Sequence, residues 1–118
     1  MENVIREELT AFMSRTGGQA QAALLVRRDG LPVAYVAPGL DVKLISALTA
    51  LALGSLKRMG EELKLGASKN VFVYFENKLM LLWPVKDLYI VVIAGIDANL
   101  GLLMLELERL GRRLSEAL

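Results

Sequence analysis

The side chains that carry most enzymatic chemistry are missing from this chain, which has no histidine and no cysteine. The commonest general base, the commonest metal ligand, the usual switch near neutral pH and all thiolate chemistry are thereby excluded together. Among the residues that remain, Arg27 and Arg28, beside Asp29-Gly30, have the charge to reach a phosphate as an inserted arginine does in phosphoryl transfer. No water-positioning group stands next to them, and as strand-end charges they need no further role. Gly54, Gly60 and Gly66 recur along one segment, yet GxxxxGK followed by Ser or Thr is nowhere, so no P-loop is present. The pairs Glu7-Glu8 and Glu61-Glu62 fall in helical stretches, where adjacent positions point about 100° apart and do not converge on one substrate. Trp83, just before Pro84, reads as packing at a strand end rather than as a stacking surface for a ligand. No catalytic, cofactor-binding or metal-binding residue is assigned, and the chain is expected not to be an enzyme.

What the residues do offer is apolar surface. A chain of 118 residues reads as a single domain, 1–118, able to bury a core without disulfide or metal staples. Its 14 basic and 13 acidic residues include no run of like charge, so neither nucleic acid nor an anionic membrane is an expected partner. Hydrophobic residues make up 54%, however, against roughly 45–50% for an average soluble domain. The excess concentrates in LISALTALALGSL, Leu44 to Leu56, which has no charge over 13 residues. A membrane-spanning helix needs about 20. Acidic residues early in MENVIREELTAF and the lack of a hydrophobic signal core place the protein in the cytoplasm as an expectation.

The elements that must hold this surface follow from periodicity. Residues 2–15 form an amphipathic helix closed by Gly17-Gly18, and the apolar runs 21–28 and 31–37 flank Asp29-Gly30, a strong hairpin signal. Asp41 caps a second helix that runs to Gly66. Strands are expected over 69–76, 78–83 and 87–95, with Pro84-Val85-Lys86 as a turn, and Asp97 caps a last helix with leucines three and four apart. The class is α+β: a five-stranded antiparallel sheet in the order α-β-β-α-β-β-β-α. Both alternating faces of the last three strands are apolar, so the helices must be divided between the two faces of the sheet.

That arrangement leaves surface without cover. Pro32 suits an outer strand, because it cannot donate to a ladder. The third strand, with Val71, Phe72, Val73, Tyr74 and Phe75, has no proline, glycine or inward charge and is an open template if it forms the other edge. On the second helix one stripe, Ile45, Leu48, Ala52, Leu56, Met59 and Leu63, would cover the sheet. The neighbouring stripe of small residues, Ser46, Ala47, Ala50 and Gly54, would let a second copy of the helix approach closely. Gly54 weakens a helix by about 1 kcal/mol relative to alanine, which a packing role would explain. The expected state is a homodimer through these helix and strand residues; the alternative is a helix central in a monomer core.

The segments LLVRRDGLPVAYV, LISALTALALGSLKRMGEELKLG and VFVYFENKLMLLWPVKDLYIVVIAG, in that order between two further helices, resemble the Roadblock/dynein light chain family across essentially the whole chain. The resemblance implies the Roadblock (profilin-like) fold and a homodimer with paired third strands and side-by-side second helices. It also implies a partner, since members act with small Ras-like GTPases as activators, scaffolds or recruitment platforms. In the bacterial gliding-polarity branch a dimer stimulates its GTPase without inserting an arginine. On that reading Lys57, Arg58 and Glu61 would frame a GTPase docked over the paired helices, and no cofactor is implied. Two other readings stay open: a profilin-like or PAS-like small-molecule sensor, against which the uniformly apolar strand interiors argue, and a structural subunit of a motor or filament complex.

Overall fold

A computed structural model describes residues 2–118. The elements are α1 (Glu2–Arg15), β1 (Ala20–Arg27), β2 (Pro32–Val36), α2 (Val42–Glu62), β3 (Val71–Tyr74), β4 (Lys78–Val85), β5 (Leu88–Gly95) and α3 (Leu100–Ala117), in the expected order. The strands form one antiparallel sheet ordered β2-β1-β5-β4-β3, which makes β2 and β3 its edges. Pro32 opens the outer strand β2, where a missing donor is harmless.

Strand alternation sorts the side chains between two cores. Ala23, Leu25, Leu79, Leu81, Ile90 and Val92 point to a face covered by two helices, α1 through Ile5, Leu9 and Phe12, and α3 through Leu103, Leu107, Leu110 and Leu114. Arg15 Nε donates to the buried carboxylate of Glu106 at 3.1 Å, and Arg113 Nε to Glu8 at the same distance, tying α1 to α3. The opposite residues, Ala22, Leu24, Val26, Leu82, Tyr89 and Val91, form a second core that only α2 covers.

Local chemistry accounts for where the elements begin and end. The β1–β2 turn closes with Arg27 N–H on the Leu31 carbonyl at 2.9 Å and Gly30 N–H on the Arg27 carbonyl at 3.0 Å. Gly30 takes φ +92°, the left-handed region that a three-residue hairpin loop of this kind demands of its last position. Asp41 caps α2, as expected, by accepting the Leu44 N–H at 3.1 Å. The helix stops at Glu62, short of Gly66. Lys64 adopts φ 58°, and its N–H and that of Leu65 return to the carbonyls of Glu61 and Gly60 in a Schellman closure. α3 is capped by Asn99, whose Oδ1 accepts the Leu102 N–H at 3.1 Å, and not by Asp97. Asp97 lies inside a turn that Ala98 N–H closes on the Gly95 carbonyl at 3.0 Å.

The strand limits also differ from expectation. β4 continues through Pro84 to Val85, and the turn to β5 is Lys86-Asp87, with Val85 paired to Leu88. Proline is accepted there because β3 begins at Val71, opposite Leu82, so β4 beyond that point has lost its outer neighbour. β3 itself is only Val71–Tyr74, shorter than the expected 69–76.

Candidate interaction surface

Helix α2 is turned by about one residue, some 100°, from the orientation its sequence suggests. Its buried positions are Ser46, Thr49, Leu53 and Gly60, while Leu48, Met59 and Leu63, expected on the sheet, are half or more exposed. The cause is the β1–β2 turn. A Cβ added to Gly30 would meet Ala47 Cα and Ala50 Cβ, both at 3.4 Å, so the small residues at the start of the stripe admit the protomer's own turn. Ser46, expected at an interface between copies, is fully buried within the protomer, with Oγ donating to the Val42 carbonyl at 2.7 Å. Ala50 is half-buried beside it. Ala47 and Gly54 are exposed, and a Cβ on Gly54 would touch nothing within 4 Å.

The rotation presents large apolar side chains to the outside. Leu44, Leu48, Leu51 and Met59 are all at least 50% exposed, with Leu51 at 69%. Periodicity points the other way, because the bulkiest apolar residues of α2 lie on its outer side while its buried positions are a serine, a threonine, a leucine and a glycine. The side of α2 nearest β3 borders a groove of about 540 Å³, walled by Ile45, Leu48, Ala52 and Leu56 from the helix, by Val73 from β3 and by Phe75 just beyond its end. Thr49 also lines it, and its buried hydroxyl has no hydrogen-bond partner among the described residues. β3 is bonded to β4 on one side only. Val71, Phe72 and Val73 are half-buried; Tyr74 and Phe75 are exposed at 59% and 55%. Val71, Val73 and Phe75 thus share an apolar groove with Leu48 and Leu56 of α2, whereas Phe72 and Tyr74 point to the other face of the sheet, Phe72 against the α1/α3 core, and Ser46 and Ala50 do not join the groove.

On the opposite side of α2 a second concavity, about 660 Å³, lies between the β1–β2 turn, the C-terminal half of the helix and residues 66–68. Lys57 and Glu61 line it; Arg58 does not, and instead pairs with Glu62 at 3.1 Å. The three residues expected to frame a GTPase therefore divide between two places. Arg27 pairs with Asp29 at 2.8 Å, whereas Arg28 turns into the cleft, its guanidinium 5.4 Å from the centre of the Tyr89 ring. Trp83 packs at α3, where a Cβ on Gly111 would sit 3.5 Å from the indole nitrogen. Among the described residues no three acidic side chains gather as metal ligands would, and no helix is long and apolar enough to cross a membrane.

A profile of the Roadblock/LC7 domain matches residues 5–94. The chain belongs to the Roadblock/LC7 domain family. Its sequence is similar to the uncharacterized protein MJ0714 of Methanocaldococcus jannaschii, 28% identical over 98 residues and covering 82% of each chain. Its structure is similar to that of Myxococcus xanthus MglB, with a TM-score of 0.91, 17% identity and coverage of 98% of this chain and 88% of that one. It is also similar to gliding protein MglB of Thermus thermophilus, with a TM-score of 0.85, 20% identity and coverage of 97% and 87%. At such identities the structural likeness is one of fold, the profilin-like Roadblock fold.

Proposed function

We propose that this Roadblock/LC7 protein is a non-catalytic homodimeric regulator that binds a small Ras-like GTPase and alters its nucleotide cycle or its location. The observation that carries the dimer is the apolar groove that joins the open β3 edge, at Val73 and Phe75, to the half-exposed Leu48 of α2. A two-fold axis perpendicular to the sheet pairs β3 with its copy in antiparallel fashion and leaves both α2 helices on the same face. One isologous contact then covers the edge, the groove and the outer leucines together.

The GTPase half of the reading rests on family membership and on the likeness to gliding protein MglB. The paired helices would form the platform, with one GTPase spanning the axis. Any acceleration of hydrolysis would come from favouring the active arrangement of the GTPase's own switch loops, which requires only tighter binding to that conformation. A cytoplasmic setting suits that partner. The test is light scattering of the protein alone and mixed with a cognate Ras-like GTPase loaded with GTP or GDP. A mass near twice 12.9 kDa for the protein alone, and a GTP-dependent complex of two protomers with one GTPase, are expected. A monomer at micromolar concentration would overturn the dimer, and indifference to the nucleotide would overturn the regulatory role.

A further inference from the structure

We propose that the cleft between the β1–β2 turn, α2 and residues 66–68 is a binding site for a small organic anion, an oxyanion head group on an apolar body. The volume, about 660 Å³, lies within the range of small-molecule sites, roughly 300–1,000 Å³. Leu53, Pro84 and the Tyr89 ring supply an apolar lining. The outer wall is fixed by geometry: the amides of Leu65 and Gly66 both bond the Gly60 carbonyl, and the Gly66 carbonyl oxygen lies so close over Gly60 that a Cβ there would overlap it.

The polar lining is rich in donors without protein acceptors. Arg28 is positioned from two sides, by its Nε bond to the Asp87 carbonyl at 3.3 Å and by the Tyr89 ring. Its two terminal nitrogens have no acceptor among the described residues, and Lys57 has no carboxylate within ion-pairing distance among them. The neighbouring cations are unlike these, for Asp29 neutralises Arg27 and Glu62 neutralises Arg58. The Ser68 and Tyr89 hydroxyls and the amides of Ala67 and Ser68 likewise lack protein partners among the described residues. A planar guanidinium beside an ammonium and neutral donors matches a carboxylate or phosphate head group. Glu61 is the one carboxylate in the lining, so the cleft carries one net positive charge and should favour a singly charged head group over a polyanion.

The site is independent of the GTPase reading and is tested without a GTPase. Phenylacetate and phenyl phosphate, titrated calorimetrically into the protein at constant ionic strength, separate the carboxylate from the phosphate source. Saturable binding of at least one of them, stronger for phenylacetate, is expected. Arg28→Gln and Lys57→Gln should each weaken it about tenfold, as loss of a charged hydrogen bond does. Arg58→Gln should leave it unchanged, and Glu61→Gln should tighten it, a gain that misfolding cannot imitate. Absence of saturation with both probes, equal losses from Arg58→Gln and Lys57→Gln, or no gain from Glu61→Gln would each overturn the assignment.

Discussion

Two glycines of one helix separate what the protomer requires from what it merely tolerates. Gly60 is buried under the Gly66 carbonyl, and even a methyl group there must displace backbone, whereas Gly54 faces open space. Gly54→Ala should therefore raise protomer stability by about 0.5–1 kcal/mol through helix propensity. Gly60→Ala should lower stability by about 1–3 kcal/mol or more, because the loop over it has to move. Urea denaturation of both variants checks the contrast, and a loss from both would mean that Gly54 is also in close contact. Composition makes Gly54 conspicuous as an unexplained helix glycine. It gives no means of seeing that Gly60, six residues on, is the one held by a backbone crossing, since that contact is made by a loop whose path depends on Lys64 adopting a left-handed conformation. The cleft residue Arg28 is hidden for a similar reason. In the sequence it is one of two adjacent arginines, and only the fold separates an ion-paired Arg27 from an Arg28 laid across Tyr89.

Among the elements, strands and helices are legible where their signals are local. Asp29-Gly30 marks the hairpin, Asp41 the start of α2, and Pro32 the outer strand, and each of these acts through its own backbone. The phase of α2 is not legible, because hydrophobic periodicity identifies an element but fixes its rotation only when one side is polar. The extent of β4 depends on where β3 begins, which is non-local, and so Pro84 reads from local signals as a turn. For β3 the proposed two-fold makes a sharper statement. Residues directly opposite in an antiparallel pair point to the same face, so a perpendicular two-fold must pass through a residue paired with itself. With Val73 on the axis, Val71 faces Phe75 and Phe72 faces Tyr74, so apolar residues meet throughout. With Phe72 on the axis, Asn70 would face Tyr74 and Lys69 would face Phe75. Because the chain has no cysteine, Val73→Cys is a clean probe. It should form an intermolecular disulfide on mild oxidation while Phe72→Cys does not, and the reverse result would shift the register by one.

At the scale of the whole molecule, the sheet has two helices on one face and one on the other, and this imbalance underlies the proposed function. α1 and α3 bury nine-tenths or more of their large inward side chains, whereas α2 leaves Leu44, Leu48, Leu51 and Met59 half or more exposed. Apolar side chains exposed together on a small protein are the kind of surface through which macromolecules make contact. If that contact is a second copy, charge placed on it should separate the copies without unfolding either, since the altered residues do not support the protomer core. Leu48→Glu with Leu51→Glu is therefore expected to give a folded monomer, with the helical circular dichroism retained and the light-scattering mass halved. The same variant tests the platform. A GTPase that spans both α2 helices must lose affinity when they part, so GTP-dependent binding and any stimulation of single-turnover hydrolysis should fall together. Arg27→Ala and Arg28→Ala should leave both intact, because the dimer is proposed to supply no catalytic arginine. Retention of stimulation by the monomeric variant would place the GTPase on a single protomer. Loss of rate with binding preserved in either arginine variant would mean that an arginine is inserted into the partner's active site, in which case the β1–β2 turn rather than the helix pair would be the regulatory element.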